Sequence, residues 1–396
     1  MAALGVIYEQ DVNGRDIRIF RIYEAQVSGQ SHYPGVRLFS YKTGEVFNPI
    51  REQVMSMPDL EIKSIGRPTT VGKTETRPVF FFVYNVDNYY HFLYDSLPYL
   101  ISYQYLKEKV PGLKLLINFA NDQQTKLNPF VTEFLELLHI YSDDMLFLEK
   151  DTVYGEVFIS SSYTHDGKSN LPPRQEVYSL YNGLADKIDT YDDFPKKIYV
   201  SRRSHIHGHY ENIGTNYTTK RRLDNEDQLV TFLESKGYTE VFTELLDTRT
   251  KIAMFKGCTH VVGAIGGGLC NVLFSGPQTK LTAIVSPYFL DINKRFCYSF
   301  ANVDVGYFTD TRHIETSEYK RHMRVRIKPL NIVGEVQDIT DSTLSVIYSD
   351  EAIAGWNAQT EYRTKIVHKD GVESIDPGLN CAWTMDLAKF AETTDV

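Results

Sequence analysis

The stretch "CTHVVGAIGGGLCNVLFSG", Cys258 to Gly276, decides how the chain folds. A mostly apolar run, His260 to Ala264, stops at three glycines, Gly266 to Gly268, and a second apolar run, Leu269 to Phe274, follows at once. The pattern predicts a strand, a tight turn and a helix that starts at the turn. Glycine puts no Cβ between the backbone and whatever approaches it. The approaching group is either a packed neighbour or an anion. A helix start favours an anion through its unpaired N–H groups and partial positive charge. The spacing G-x-x-G-G-G is not the G-x-G-x-x-G of dinucleotide folds, and it comes late in its unit, so NAD is not expected.

Working outward, strands and helices alternate on both sides. "KIYVSR", "TEVFT", "THVVGA" and "LTAIVSP" read as strands, with "NEDQLVTFLESKG", "DTRTKIAMFKGC" and "GGGLCNVLF" as the helices between them. Such alternation predicts a doubly wound parallel sheet covered on both faces. An earlier series runs from strand "VFFFVY" through helix "NYYHFLYDSLPYLISYQYL" to a helix from about Arg174 to Ile188. "DIRIFRIYEAQV" alternates as a strand, but the rest of the first 75 residues is mixed. The polar, proline-bearing "TYDDFPKK" separates the two series. The expected organisation is therefore α/β, with two Rossmann-like doubly wound domains facing a cleft. Residues 1–190 form an N-terminal domain, 191–290 a C-terminal domain, and 291–396 an extension packed on them. Two further strands, "MRVRIKPLNIVGEV" and "STLSVIYS", lie in that extension. Ligands of such sheets bind beyond the carboxyl ends of the strands.

The totals narrow the function. A net charge of −9 over 396 residues lacks the basic footprint of a nucleic-acid binder. The four cysteines are scattered with no C-x-x-C pair, so neither a disulfide framework nor a zinc site is expected. No segment reaches the roughly 18 apolar residues of a membrane span, and the start shows no signal-peptide pattern. A reduced, cytoplasmic compartment is expected. The sequon at Asn216 is then expected to stay unmodified. The 27 Tyr and 22 Phe either edge the core or stack on sugar rings.

Three constellations carry the chemistry. The first is the glycine turn itself. The second is "VSRRSHIHGHYENIGTNYTTKRRLDNEDQL", where Ser201, Arg202 and Arg203 end a strand and Arg221 and Arg222 precede a helix opened by Asn225 and Glu226. Arginine forks suit a diphosphate, and the alternative is a solvated loop with ion pairs to Asp224 and Glu226. His205, His207 and His209 lie in that loop without a carboxylate or cysteine partner, so no metal site is expected. The third is "NYYHFLYDSLPYL". His91 and Asp95 share a helix face at i, i+4, the spacing of a general base and its carboxylate orienter. Either Asp95 or His91 is the candidate base, and the alternative is a half-buried histidine satisfied by its neighbour. Tyr90 and Tyr94 repeat the spacing one step round the helix and are candidate acceptor-binding rings. Asp87 or Asn88 caps this helix, and Pro98 ends or kinks it.

Together these stretches resemble glycosyltransferase family 61. The matching residues are "NYYHFLYDSLP" (Asn88 to Pro98), Ser201-Arg202, the group Arg221, Arg222, Asn225 and Glu226, and "GAIGGGLCN" (Gly263 to Asn271). The resemblance spans about Phe80 to Pro287. It implies a GT-B type architecture and a nucleotide-sugar donor, usually a UDP-sugar, held mainly by the second domain. It implies inverting, metal-independent transfer of a hexose or pentose to a glycan or glycoprotein hydroxyl, with no cofactor. On this reading Ser201, Arg202, Arg222, Gly266, Gly267, Gly268 and Asn271 bind the donor. The family's turn usually carries His where this chain has Ile265. That departure favours the rival reading, a catalytically inactive glycan-binding or scaffolding protein on a glycosyltransferase fold.

Overall fold

The computed structural model describes residues 3–8, 15–28, 37–49, 53–56, 71–82, 88–119, 126–149, 151–164, 171–203, 222–286, 293–309, 319, 321, 323–348, 363–376 and 383–396. It is a mixed α/β structure with three sheets among these residues. His205, His207, His209, Asn216 and Arg221 lie outside them.

The first sheet has ten strands: β1 (Ala3–Tyr8), β2 (Ile17–Ser28), β3 (Arg37–Ser40), β4 (Glu45–Asn48), β5 (Gln53–Ser56), β6 (Lys73–Glu75), β7 (Val79–Phe82), β8 (Lys114–Ile117), β9 (Met145–Phe147) and β10 (Thr152–Ser160). Their order is β5-β4-β3-β2-β10-β7-β8-β9, with β1 on β2 and β6 on β10. Strands β10, β7, β8 and β9 are parallel, as the alternation predicts. Strands β2 to β5 are antiparallel, so the sheet is mixed rather than doubly wound throughout. The reason is connection length: β3 and β4 are joined by a tight turn ending at Gly44 with φ +68°, and a turn that short permits only antiparallel neighbours. At the sheet centre every residue of β7, "VFFF", is buried. Helices α1 (Tyr99–Lys107), α2 (Pro129–Leu137) and α3 (Gln175–Asp186) belong to this unit.

The second sheet is parallel throughout, in the order β12-β11-β13-β14-β15. It comprises β11 (Lys197–Val200), β12 (Thr239–Val241), β13 (His260–Ala264), β14 (Lys280–Val285) and β15 (Asp304–Thr309), with helices α4 (Glu226–Ser235), α5 (Thr248–Gly257) and α6 (Asn293–Ser299). β15 carries the sheet past the expected boundary at 290. The order reverses between β11 and β13, and the carboxyl ends of these two strands carry Ser201-Arg202 and the glycine turn. The expected helix after the glycines is a six-residue 3-10 helix, Leu269–Phe274.

The two units share one apolar core. Phe134 of α2 stacks on Phe274 of the 3-10 helix at 5.9 Å and 16°, and Tyr181 of α3 meets the same ring edge-on. All three rings are buried. The third sheet is antiparallel in the order β19-β18-β17-β16-β20. Its strands are β16 (Arg324–Ile327), β17 (Ile332–Ile339), β18 (Thr343–Tyr348), β19 (Arg363–His368) and β20 (Val372–Asp376). The chain ends in α7 (Leu387–Thr393), whose Phe390 packs on Phe308 and Phe232 of the second unit. None of the described helices is long and apolar enough to cross a membrane.

Candidate active site

The segment after β7 begins with a cap. Asn88 Oδ1 accepts the His91 N–H at 3.2 Å. Residues His91–Ser96 then form a π-helical turn, in which the Leu97 N–H reaches back five residues to Phe92 O at 2.8 Å. Pro98 supplies the physical reason. It has no N–H, so carbonyls one turn before it lose their helical partner. Side chains take them: Tyr181 OH donates to Leu93 O at 2.6 Å and Thr164 Oγ1 to Tyr94 O at 3.0 Å. Single π turns recur at functional sites.

That turn presents the first cluster. His91 Nδ1 lies 2.7 Å from Asp95 Oδ2, with the imidazole one-third exposed and the carboxylate fully buried. The other Asp95 oxygen accepts from Thr164 Oγ1 at 3.2 Å. The carboxylate is thus held from two sides beneath the imidazole, and His91 is the member that reaches the surface. Tyr90 and Tyr94 do not form an acceptor platform. Tyr94 is fully buried and Tyr90 is 7 % exposed. Their rings pack on each other at 5.7 Å, and Tyr90 packs on Phe296 at 4.4 Å. An i, i+4 aromatic stripe has the same spacing whether it faces a core or a sugar, and here it faces the core.

The second cluster is built on Glu226, at the first position of α4. Its Oε1 accepts the Tyr199 hydroxyl at 2.8 Å, the Ser201 hydroxyl at 3.2 Å and the Arg202 N–H at 2.8 Å. Ser201 is therefore turned inward, holding the strand end rather than facing a ligand. Its neighbour Arg203 is taken by Glu240 and Asp227. Arg202 is directed to the turn: a Cβ on Gly266 would stand 3.7 Å from its Nη1. Enclosure draws the Arg202 guanidinium below its ordinary value, and Glu226 opposes that. Arginine stays charged under such shifts. Arg222 goes elsewhere. Its Nε and Nη2 bond Asp224 Oδ1 at 3.1 and 2.9 Å, and the side chain is 55 % exposed. Asn225, expected to cap α4, instead clasps the C-terminal tail through both ends of its amide, to Met385 O at 2.8 Å and Met385 N at 3.0 Å.

The glycines divide by what approaches them. A Cβ on Gly268 would stand 2.6 Å from Thr243 Oγ1 and 3.0 Å from Val200 Cγ1, so packing alone demands glycine there. A Cβ on Gly267 would make only ordinary contacts, 3.8 Å from Tyr90 N and 3.9 Å from Tyr89 Cδ1. The turn thus lies directly against the start of the π-helical segment. Asn271 fastens the two, accepting from Tyr89 OH at 2.5 Å and donating to Gly268 O at 2.8 Å. Its buried amide is spent on this link. Among the described residues no acceptor takes the N–H groups of Gly266, Gly267 or Gly268, and all three glycines are half-buried rather than sealed. Three consecutive unpaired N–H groups beside a guanidinium form an anion-binding concavity.

The model of the family described as Glycosyltransferase 61 matches residues 89–282, which include Tyr89, the His91–Asp95 pair, the Glu226 cluster and the glycine turn. Over these residues, just under half of the chain, it matches glycosyltransferase family 61. No curated protein matches the chain. The family 61 stretch holds one further difference from expectation. Ile265, the departure at the turn, is buried in the apolar core at 3 % exposure, so its side chain does not line the concavity beside Arg202. Sequence reasoning missed two participants, Thr164 and Thr243, which come from distant segments and carry no motif. It named Glu226 as a helix opener and an ion-pair partner of the arginines, but not as the acceptor of three donors on and just after β11, some 25 residues earlier.

Proposed function

We propose that the chain is an inverting glycosyltransferase of GT-B type that moves a sugar from a UDP-sugar to a hydroxyl of a glycan or glycoprotein, without a metal. One observation carries the reading: the unpaired N–H groups of Gly266 to Gly268, beside Arg202, lie against the segment that bears His91 and Asp95. The diphosphate sits on those N–H groups, with Arg202 on its oxygens. They offset the charge that gathers on the leaving UDP, usually the largest catalytic term. His91 is the base and Asp95 its orienter, because the carboxylate is buried and the imidazole is not. With Nδ1 turned to Asp95, Nε2 takes the acceptor hydroxyl proton. The acceptor oxygen then bonds C1 of the sugar from the face opposite the diphosphate. The bond from C1 to the diphosphate oxygen breaks, and its electron pair leaves with UDP. Asp95 balances the imidazolium that forms. The match to a glycosyltransferase family favours this over an inactive scaffold.

The test is UDP binding followed by melting temperature, since a ligand of the folded state stabilises it by mass action. UDP should raise the melting point of the natural chain and of Arg222→Ala, and fail to raise that of Arg202→Ala. Equal shifts in the natural chain and Arg202→Ala would remove Arg202 from the site. Transfer should survive EDTA, and its loss would overturn the metal-free assignment.

A further inference from the structure

Lys251, on α5, is the one buried lysine among the described residues, 7 % exposed. Its ammonium lies over the Tyr89 ring, 4.5 Å from the centroid. The same ring touches the turn: Tyr89 Cδ1 and Cβ lie 3.9 and 4.0 Å from a Cβ placed on Gly267, and its hydroxyl bonds Asn271. Ammonium and glycine turn therefore share one aromatic side chain.

Three carboxylates act on Lys251 through space, Glu133 of α2, Glu244 of the turn after β12, and Asp247 at the head of α5. None of them pairs with it. Glu133 Oε2 accepts the Thr248 N–H at 2.9 Å, and Asp247 accepts the Thr250 N–H and hydroxyl at 2.8 and 2.7 Å. Among the described residues Glu244 Oε1 is buried without a hydrogen bond, and that carboxylate acts on Arg202 as well. Among the described residues no acceptor takes the Lys251 ammonium, and no ion pair holds it. A buried cation in that condition is costly unless something supplies acceptor oxygens. Burial holds the ammonium down at about 8, so its charge is only weakly kept.

We infer that Lys251 is a second cation of the donor site, taking a phosphate oxygen of the nucleoside diphosphate seated on the Gly266–Gly268 turn. The inference rests on the proposed donor site and adds a residue to it. A lysine stem is long and rotatable, so the ammonium can exchange the Tyr89 face for a ligand on the turn that the same ring touches. The Tyr89 ring holds the charge when the ligand is absent, as a cation over an aromatic face is held.

The experiment measures the UDP and uridine affinities of the whole chain by calorimetry between pH 7 and 9.5. UDP keeps constant charge above about pH 7.5, since the second ionisation of a phosphate lies near 6. Tyr89 does not titrate in this window, because burial holds it well above 10. If only the ammonium form binds, the UDP Kd of the natural chain climbs above pH 8, approaching tenfold per pH unit. Lys251→Met should bind UDP about tenfold or more weakly at pH 7, with a Kd that no longer changes with pH. Uridine, which lacks the diphosphate, should bind both chains equally. A Met variant with the natural UDP affinity overturns the inference and leaves the donor site standing. Should that variant fail to fold, the natural chain still decides: a UDP Kd flat from pH 7 to 9.5 overturns it. A natural chain that binds no UDP at any pH removes the donor site and the inference together.

Discussion

Replacing Glu226 by glutamine removes one charge and little volume from the centre of the second cluster. Three donors meet Oε1, from Tyr199, Ser201 and the Arg202 backbone, at 2.8, 3.2 and 2.8 Å. A hydrogen bond to a charged group is worth about 1.5–3 kcal/mol, against about 0.5–1.5 kcal/mol for a neutral pair. The charge on the acceptor thus contributes about 1 kcal/mol per bond, less for the longer Ser201 bond. The enclosed Arg202 guanidinium also loses the carboxylate that most favours its charged form among those described. The expected loss is about 2–4 kcal/mol of unfolding free energy. Urea unfolding followed by tryptophan fluorescence reads it directly, because Trp383 is buried against the segment that leads into α4. Ser201→Ala should cost under about 1 kcal/mol, since two stronger donors remain. A Glu226→Gln change below about 0.5 kcal/mol would refute the claim that this carboxylate holds the strand end.

Three other outcomes follow from the same geometry. His91→Gln should lower transfer by about 100-fold or more and leave UDP affinity unchanged, and Asp95→Asn should lower it less; the reverse order in a transfer assay makes Asp95 the base. Gly267→Ala should keep the fold and weaken UDP binding, whereas Gly268→Ala should lower the melting point, because its Cβ meets Thr243 Oγ1 at 2.6 Å; circular dichroism beside a binding isotherm separates the two. Burial pushes the Cys258 thiol up to about 12 and raises Cys270 well above its ordinary value, so neither should react with a disulfide reagent at pH 8 in the folded chain; rapid labelling of either contradicts the packing around the glycine turn.

The second sheet was legible because each strand is an apolar run between punctuated helices, and β11, β12, β13 and β14 fall where the alternation places them. β15 was not, since an edge strand with its exposed positions carries no continuous apolar run. Strands β3, β4 and β5 are four residues each, too short to show a period. Pro98 announced a break in the helix, but the form of the break depends on Thr164 and Tyr181, which reach the loosened carbonyls from far along the chain. The pairing of His91 with Asp95 was readable from spacing alone. That the carboxylate is buried and the imidazole reaches the surface was not, because burial depends on the packing around them. Arg202 and Arg222 looked alike in sequence, and only the fold shows one beside the turn and the other on Asp224. The bare backbone at Gly268 answers to Thr243 and Val200, while among the described residues nothing takes the N–H groups of Gly266 and Gly267.

On the proposed reaction a nucleotide sugar is consumed at this turn. A panel of nucleotide sugars incubated with the chain, with release of free nucleotide as the readout, tests it most directly. UDP should be released from one UDP-sugar, with release abolished in a folded Arg202→Ala variant and retained in Arg222→Ala. Release that persists undiminished in Arg202→Ala, or no release from any sugar nucleotide by the natural chain with glycan acceptors present, would contradict it.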